Sequence, residues 1–409
     1  KEMPAPINYE MRAELKTAEP TMESMVTSKL QPEVVVVTGA SAGVGRATVR
    51  AFARQGACIG LLARGKAGLN GARRDVEQLG GKALVVPTDV ADAEQVGAAA
   101  TAVEKEFGPI DVWINDAMCS VFSPAKKMTP DDYKRVTDVT YLGVVYGTLA
   151  ALKHMLPRNR GTILQVGSAL AYRGIPLQSA YCGAKHAIQG FTESVRCELI
   201  HDQSDVKITM VQMPALNTPQ FDWVKSRLPR KPQPVPPIYQ PEVAADAICH
   251  AAHNYRREWF IGGPTVVAIQ GNKLAPGFGD WYLGHQGYES QQCDDKADPH
   301  RRDNLYEPVD DVVDHGAHGD FDARSHDHSL QLWADQHRRL IAISTVVGSA
   351  CDALVNGRRS IWRGGLIGAS VGTLAAFVLG RRNQERSTKR TIKGSTDLQD
   401  ALSEKAMEQ

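Results

Sequence analysis

Tyr181 and Lys185 stand four residues apart in Tyr181-Cys182-Gly183-Ala184-Lys185. The stretch has helical patterning, so the phenol and the ammonium share one face a turn apart. The chemistry such a pair supports is general acid–base catalysis on a carbonyl or an alcohol. A free tyrosine ionises near pH ~10 and is a poor base at neutrality, but a neighbouring ammonium favours the phenolate. Ser168, at the end of an apolar run upstream, offers a hydroxyl that can hold the substrate oxygen while Tyr181 moves the proton. YxxxK also arises by chance on helix surfaces, so the motif needs a partner.

The partner is Thr38 to Ala47, TGASAGVGRA, which follows Glu33-Val34-Val35-Val36-Val37 and opens into a helical pattern. A β-branched run, glycines and a helix start are how a nucleotide-binding βαβ unit begins. Gly39 permits the sharp turn off the strand. Gly43 and Gly45 remove side chains that would keep backbone N–H groups and the helix N-terminus away from a pyrophosphate. The spacing is TGxxxGxG, not GxGxxG.

The elements that must position these residues alternate from residue 33 to about 262. Strands are expected at Val34–Thr38, Ala57–Ala63, Ala83–Pro87, Ile110–Asn115, Gly161–Gly167, Val206–Met213 and Trp259–Ile261. Helices are expected between them, the longest at Pro130–Leu156 and Ser179–His201. Apolar strands alternating with long helices indicate an α/β fold, a mainly parallel sheet covered on both faces. In such sheets ligands bind beyond the carboxyl ends of the strands, where Thr38, Asp89, Asn115 and Ser168 fall. The proline-rich excursion Pro214–Pro241 is read as a substrate lid rather than a linker.

The combined pattern resembles the short-chain dehydrogenase/reductase family over residues 33–262. It consists of TGASAGVG after the first strand, Asp89 after the third, a strand ending in Asn115, then Ser168 and Tyr181/Lys185. The resemblance implies a Rossmann-like, doubly wound parallel sheet of seven strands, a nicotinamide cofactor, hydride transfer, and a homodimer or homotetramer formed through the long helices. It implies Ser168, Tyr181 and Lys185 as catalytic residues, and Gly39, Gly43 and Gly45, with Thr38, Ser41 and Val44 of the same turn, as cofactor-binding residues. It further implies Asp89 and Val90 at the adenine, Asn115 and Ala117 at the strand end, Tyr181 and Lys185 on the cofactor as well as in catalysis, and Pro214 and Thr218 on the nicotinamide side.

Three departures stand out. The family's NNAG reads Asn115-Asp116-Ala117-Met118, its PG reads Pro214-Ala215, and Thr140 takes the place of the catalytic asparagine that holds a proton-relaying water. A weaker or rerouted relay through the Thr140 hydroxyl is expected. Thr140 and Asp116 also motivate the alternative of a catalytically weak cofactor-binding scaffold or interaction protein. Cofactor choice is read from the end of the second strand, Ala63-Arg64-Gly65-Lys66. No acid stands there to hold a ribose 2′-hydroxyl, and a guanidinium suits a 2′-phosphate, so NADP(H) and carbonyl reduction are expected. The other reading of Arg64 is a cap on a solvated turn. Leu170, Ile175, Leu177, Leu216, Phe221 and Trp223 make the expected pocket apolar, in keeping with a hydrophobic substrate.

Composition excludes several classes. With 47 basic and 46 acidic residues in 409 there is no electrostatic case for nucleic acid. Seven scattered cysteines with no CxxC pair suit a reducing, cytoplasmic setting and neither a disulfide framework nor a zinc knuckle. Residues 1–30 are polar, lack an apolar signal core and are expected to be disordered; the catalytic domain is placed at 31–263. A polar extension is placed at 264–335. Its stretch Asp314–Ser329 is rich in His and Asp and is read as a surface loop, with no metal motif. Residues 336–382 end in the glycine-striped run GGLIGASVGTLAAFVLG, read either as a membrane anchor or as a buried helical pair. The tail 383–409 is expected to be disordered.

Overall fold

The computed structural model describes residues 32–298, 300–338 and 340–342. The apolar run at 364–380 and the polar ends 1–30 and 383–409 lie outside the described residues. The chain forms two compact units, one ending at His328 and the other beginning at Ser329. In the second, a short helix Leu330–Gln336 starts at Ser329, whose hydroxyl accepts the Leu332 N–H.

The first unit is built on seven parallel strands: β1 Val34–Thr38, β2 Cys58–Ala63, β3 Lys82–Pro87, β4 Val112–Asn115, β5 Thr162–Val166, β6 Lys207–Gln212 and β7 Glu258–Phe260. Their order across the sheet is β7-β6-β5-β4-β1-β2-β3. The order reverses between β1 and β4, which pair Val35 with Val112 and Thr38 with Asn115, so their carboxyl ends open side by side. A crevice at such a switch point is where dinucleotides bind. The strands lie within one or two residues of their expected positions, because β-branched runs buried on both faces are a clear signal. The four valines of β1 are nearly inaccessible, and burying each contributes roughly 1.5–3 kcal/mol.

The main helices are α1 Gly43–Ala53, α2 Lys66–Gln78, α3 Ala93–Phe107, α4 Pro130–Val136, α5 Gly143–Met155, α6 Ser179–His201, α7 Pro241–His253, α8 Gly263–Leu274 and α9 Pro276–Gln286, with a single turn at Gln220–Trp223. The long helix expected over Pro130–Leu156 is divided: π-type turns at Thr137–Leu142 separate α4 from α5. α4 begins with a capping box in which Thr129 accepts the Asp132 N–H and Asp132 accepts the Thr129 N–H. The polar stretch after residue 263, which shows little periodicity, nevertheless holds α8 and α9.

Candidate active site

The glycine turn is shaped by close approach of two strand ends. Gly39 has φ +72°, and a Cβ on it would stand 3.0 Å from the Ala117 backbone. A Cβ on Gly45 would overlap the Gly39 carbonyl, so β1 and α1 meet only through glycine. The Thr38 hydroxyl accepts the N–H groups of Asp116 at 3.0 Å and Ala117 at 3.1 Å, locking the end of β1 to the end of β4. Thr38 thus positions the turn and does not face the cavity. Asn115 is likewise turned inward. Its Oδ1 accepts from Trp113 Nε1 at 2.8 Å, and its Nδ2 donates to Gln165 Oε1 at 2.9 Å and Thr148 Oγ1 at 3.2 Å.

Ser168, Tyr181 and Lys185 meet at the floor of one cavity. Ser168 follows β5, held by its N–H donating to Gln212 Oε1 at 2.6 Å. α6 carries the other two. Lys185, 3 % exposed, donates from Nζ to the Val166 carbonyl at 2.6 Å, and its Nζ lies 5.5 Å from the Tyr181 ring centroid. Burial holds the Tyr181 pKa above the ordinary tyrosine value, although the Ser168 hydroxyl favours the phenolate. Enclosure of the phenol here outweighs the hydrogen bond that favours its ionisation. Burial also lowers the Lys185 pKa and raises that of Asp116, each charge partly relieving the other.

Thr140 is engaged with the loop after β4. Its hydroxyl donates to the Cys119 carbonyl at 2.9 Å and accepts the Cys119 N–H at 3.1 Å. The threonine hydroxyl thus pins the π-type turns to the loop after β4.

The cavity has a volume of about 1060 Å³. Gly39, Ser41, Gly43, Val44, Pro214 and Thr218 line it, as do Val90 and Ala117. Its apolar lobe includes Phe122, Leu170, Ile175, Leu216, Phe221 and Trp223. Leu177 sits behind that lobe, packed with Phe122 and Phe221. Phe278 and Tyr282 of α9 line the mouth, a contribution the polar reading of the extension missed. The size fits a dinucleotide with a substrate beside it, and in the glycine turn the Gly43 N–H donates to the Gly316 carbonyl at 3.1 Å.

At the other end, the residues expected at the adenosine are engaged by the extension. Arg64 donates to the carbonyls of Asn304 at 2.5 Å and Tyr306 at 2.6 Å, in place of a free guanidinium awaiting a phosphate. Burial lowers its pKa. The Asp89 carboxylate accepts from Arg135 Nη2 at 2.7 Å, and Arg135 Nε donates to the Leu305 carbonyl at 2.9 Å. The His/Asp stretch is anchored similarly: Asp314 pairs with Arg46, and His318 bonds Glu242 and Asp322. Among the described residues no group of three or more His, Cys, Asp or Glu is arranged to hold a metal. Nor is any described helix long and apolar enough to cross a membrane.

A family model described as short chain dehydrogenase matches residues 33–227. The oxidoreductase YxnA of Bacillus subtilis is 35 % identical over 281 residues, covering 68 % of this chain and 79 % of that protein. The fatty acyl-CoA reductase of Acinetobacter baylyi is 28 % identical, covering 56 % of this chain and 76 % of its own. A short-chain dehydrogenase structure from Streptomyces avermitilis superposes with a TM-score of 0.53 at 22 % identity, covering 63 % of this chain and 98 % of that one.

Proposed function

The chain belongs to the short-chain dehydrogenase family of oxidoreductases, and from that premise we propose that it interconverts a ketone or aldehyde and an alcohol, with Tyr181 as the acid–base. The observation that carries the proposal is the meeting of Ser168, Tyr181 and Lys185 in the cavity that the glycine turn opens into. A bound nicotinamide supplies the hydride chemistry. The residues supply the rest. Ser168 orients the carbonyl oxygen, Tyr181 delivers its phenolic proton to it, and the Lys185 ammonium favours the phenolate left behind. A phenol whose pKa burial raises remains protonated through neutrality, which suits the direction of carbonyl reduction.

The cofactor-binding roles of Ser41, Gly43, Val44, Val90, Pro214 and Thr218 belong to the same proposal, supported by their place on the cavity wall. Taken alone, Ala63 and Arg64 support NADP(H), but Arg64 is already bonded to Asn304 and Tyr306. The apolar lobe supports a hydrophobic substrate, as does the similarity to a protein named fatty acyl-CoA reductase. Assembly through α5 and α6 is proposed on the family's habit and on the exposed Leu149 and Ile200. Thr140, held by Cys119, favours a second reading, a weak catalyst that mainly binds cofactor.

The test is a panel of ketones and aldehydes of increasing chain length offered to the full chain with NADH and with NADPH. Turnover that rises with chain length supports the proposal. Tight cofactor binding with no turnover across the panel supports the weak-catalyst reading.

A further inference from the structure

We propose that Asp310 is the residue that reads the adenosine ribose, and that it turns this site toward NAD(H) and away from NADP(H). The inference rests on the nicotinamide site proposed above. In open α/β sheets the choice is made at the end of the second strand. An acid there hydrogen-bonds the 2′-hydroxyl, whereas an arginine accommodates a 2′-phosphate. β2 ends on Ala63 and has no acid of its own. The extension brings one.

Asp310 lies on the turn between β2 and α2. A Cβ on Gly65 would overlap its carboxylate, and one on Gly68 would meet its Oδ2 at 2.5 Å. Its backbone carbonyl accepts the Gly68 N–H at 3.1 Å. The residue is 9 % exposed and lines the same cavity as Ser41, Ala63 and Arg64. The two glycines leave room for this carboxylate and bring it to the first turn of α2, where the helix dipole favours an anion. A 2′-phosphate brought to this corner meets a carboxylate in a poorly screened site. A ribose hydroxyl meets an acceptor instead.

Arg64 keeps its charge near Asp310, but its terminal nitrogens are turned onto the carbonyls of Asn304 and Tyr306 rather than arranged as a clamp for a phosphate. Nor is Asp310 on a loose segment. Upstream, Leu305 is fully buried and Arg301 donates to the carbonyls of Phe221 and Val224. Downstream, Asp314 pairs with Arg46, and the Gly316 carbonyl accepts the Gly43 N–H at 3.1 Å. The acid is held between two anchors over the cofactor end of the sheet.

The experiment is equilibrium titration of the full chain with NADH and with NADPH, followed by protein fluorescence, for the unaltered protein, Asp310→Asn and Arg64→Ala. The expected result is NADH binding at least tenfold tighter than NADPH. In Asp310→Asn, NADPH should tighten at least tenfold with little change for NADH. Arg64→Ala should not weaken NADPH selectively. An unaltered protein that prefers NADPH overturns the proposal without any variant, as does an Asp310→Asn protein whose ratio moves less than twofold. If neither cofactor binds, the nicotinamide site itself is wrong and Asp310 falls with it; binding without dependence on Asp310 removes only this inference.

Discussion

The Lys185 ammonium stands 5.5 Å from the centroid of the Tyr181 ring, on the same face of α6, while its Nζ is tied to the Val166 carbonyl at 2.6 Å. The lysine is thus fixed beside the phenol before any ligand arrives. Burial moves the two groups in opposite directions, raising the tyrosine and lowering the lysine. A cation whose pKa is lowered loses its charge at a lower pH than an exposed lysine, which titrates near ~10.4. The rate of carbonyl reduction, measured as kcat/KM against pH, should be flat through neutrality and fall on an alkaline limb below pH ~10. A profile still flat at pH ~10 would separate the lysine's charge from catalysis.

Asp116 bears on the same limb. Its carboxylate favours the charged form of Lys185, so removing it should lower the lysine pKa further. In Asp116→Asn the alkaline limb should move to lower pH, whereas an unmoved limb would mean the two groups do not communicate. The pH profile is the readout because a loss of rate alone would also follow from a disturbed loop.

Thr140 gives a prediction of the opposite kind. Its hydroxyl satisfies both backbone groups of buried Cys119, and Thr140→Val leaves an N–H and a carbonyl unpaired. Stability should fall by about 1–3 kcal/mol, read as a shifted denaturant midpoint, with the pH profile unchanged. A shifted profile at full stability would return Thr140 to the proton path.

Much of this was legible in the sequence. The strands were clear from their β-branched runs, and Ser168, Tyr181 and Lys185 from their types and spacing. The inward turn of Asn115 was not, because its partners Thr148 and Gln165 come from two other elements. The extension was least legible. Part of its hold on the core is a set of backbone carbonyls at 304–306 taken up by Arg64 and Arg135, and a carbonyl acceptor leaves no mark in side-chain pattern. Gly65 and Gly68 carried a signal, but only beside Asp310 do they read as room for a carboxylate.

Asp132 tests how the proline-rich segment 214–241 is tied to α4. Its carboxylate pairs with Lys225 at 3.0 Å and Arg227 at 2.7 Å, and it caps α4. Burial works to raise its pKa, but the Thr129 N–H and the two cations outweigh this and hold it at about 2. With the folded value below the unfolded one of about 3.9, its contribution is complete above that value and is lost as pH falls through about 2. Asp132→Asn should cost about 2 kcal/mol at neutral pH, measured by denaturant unfolding, and the difference from the unaltered protein should shrink on acidification below pH ~4. A difference that persists at pH ~2 would assign the effect to packing rather than charge.

The central claim is that Tyr181 transfers the proton. It is tested most directly by the single-turnover rate of reduction of a medium-chain ketone with prebound NADH or NADPH, in the unaltered protein and in Tyr181→Phe. The phenylalanine keeps the ring and removes only the hydroxyl. The account predicts a fall of roughly 100-fold or more, well beyond any change in cofactor affinity. An undiminished rate in Tyr181→Phe would contradict it.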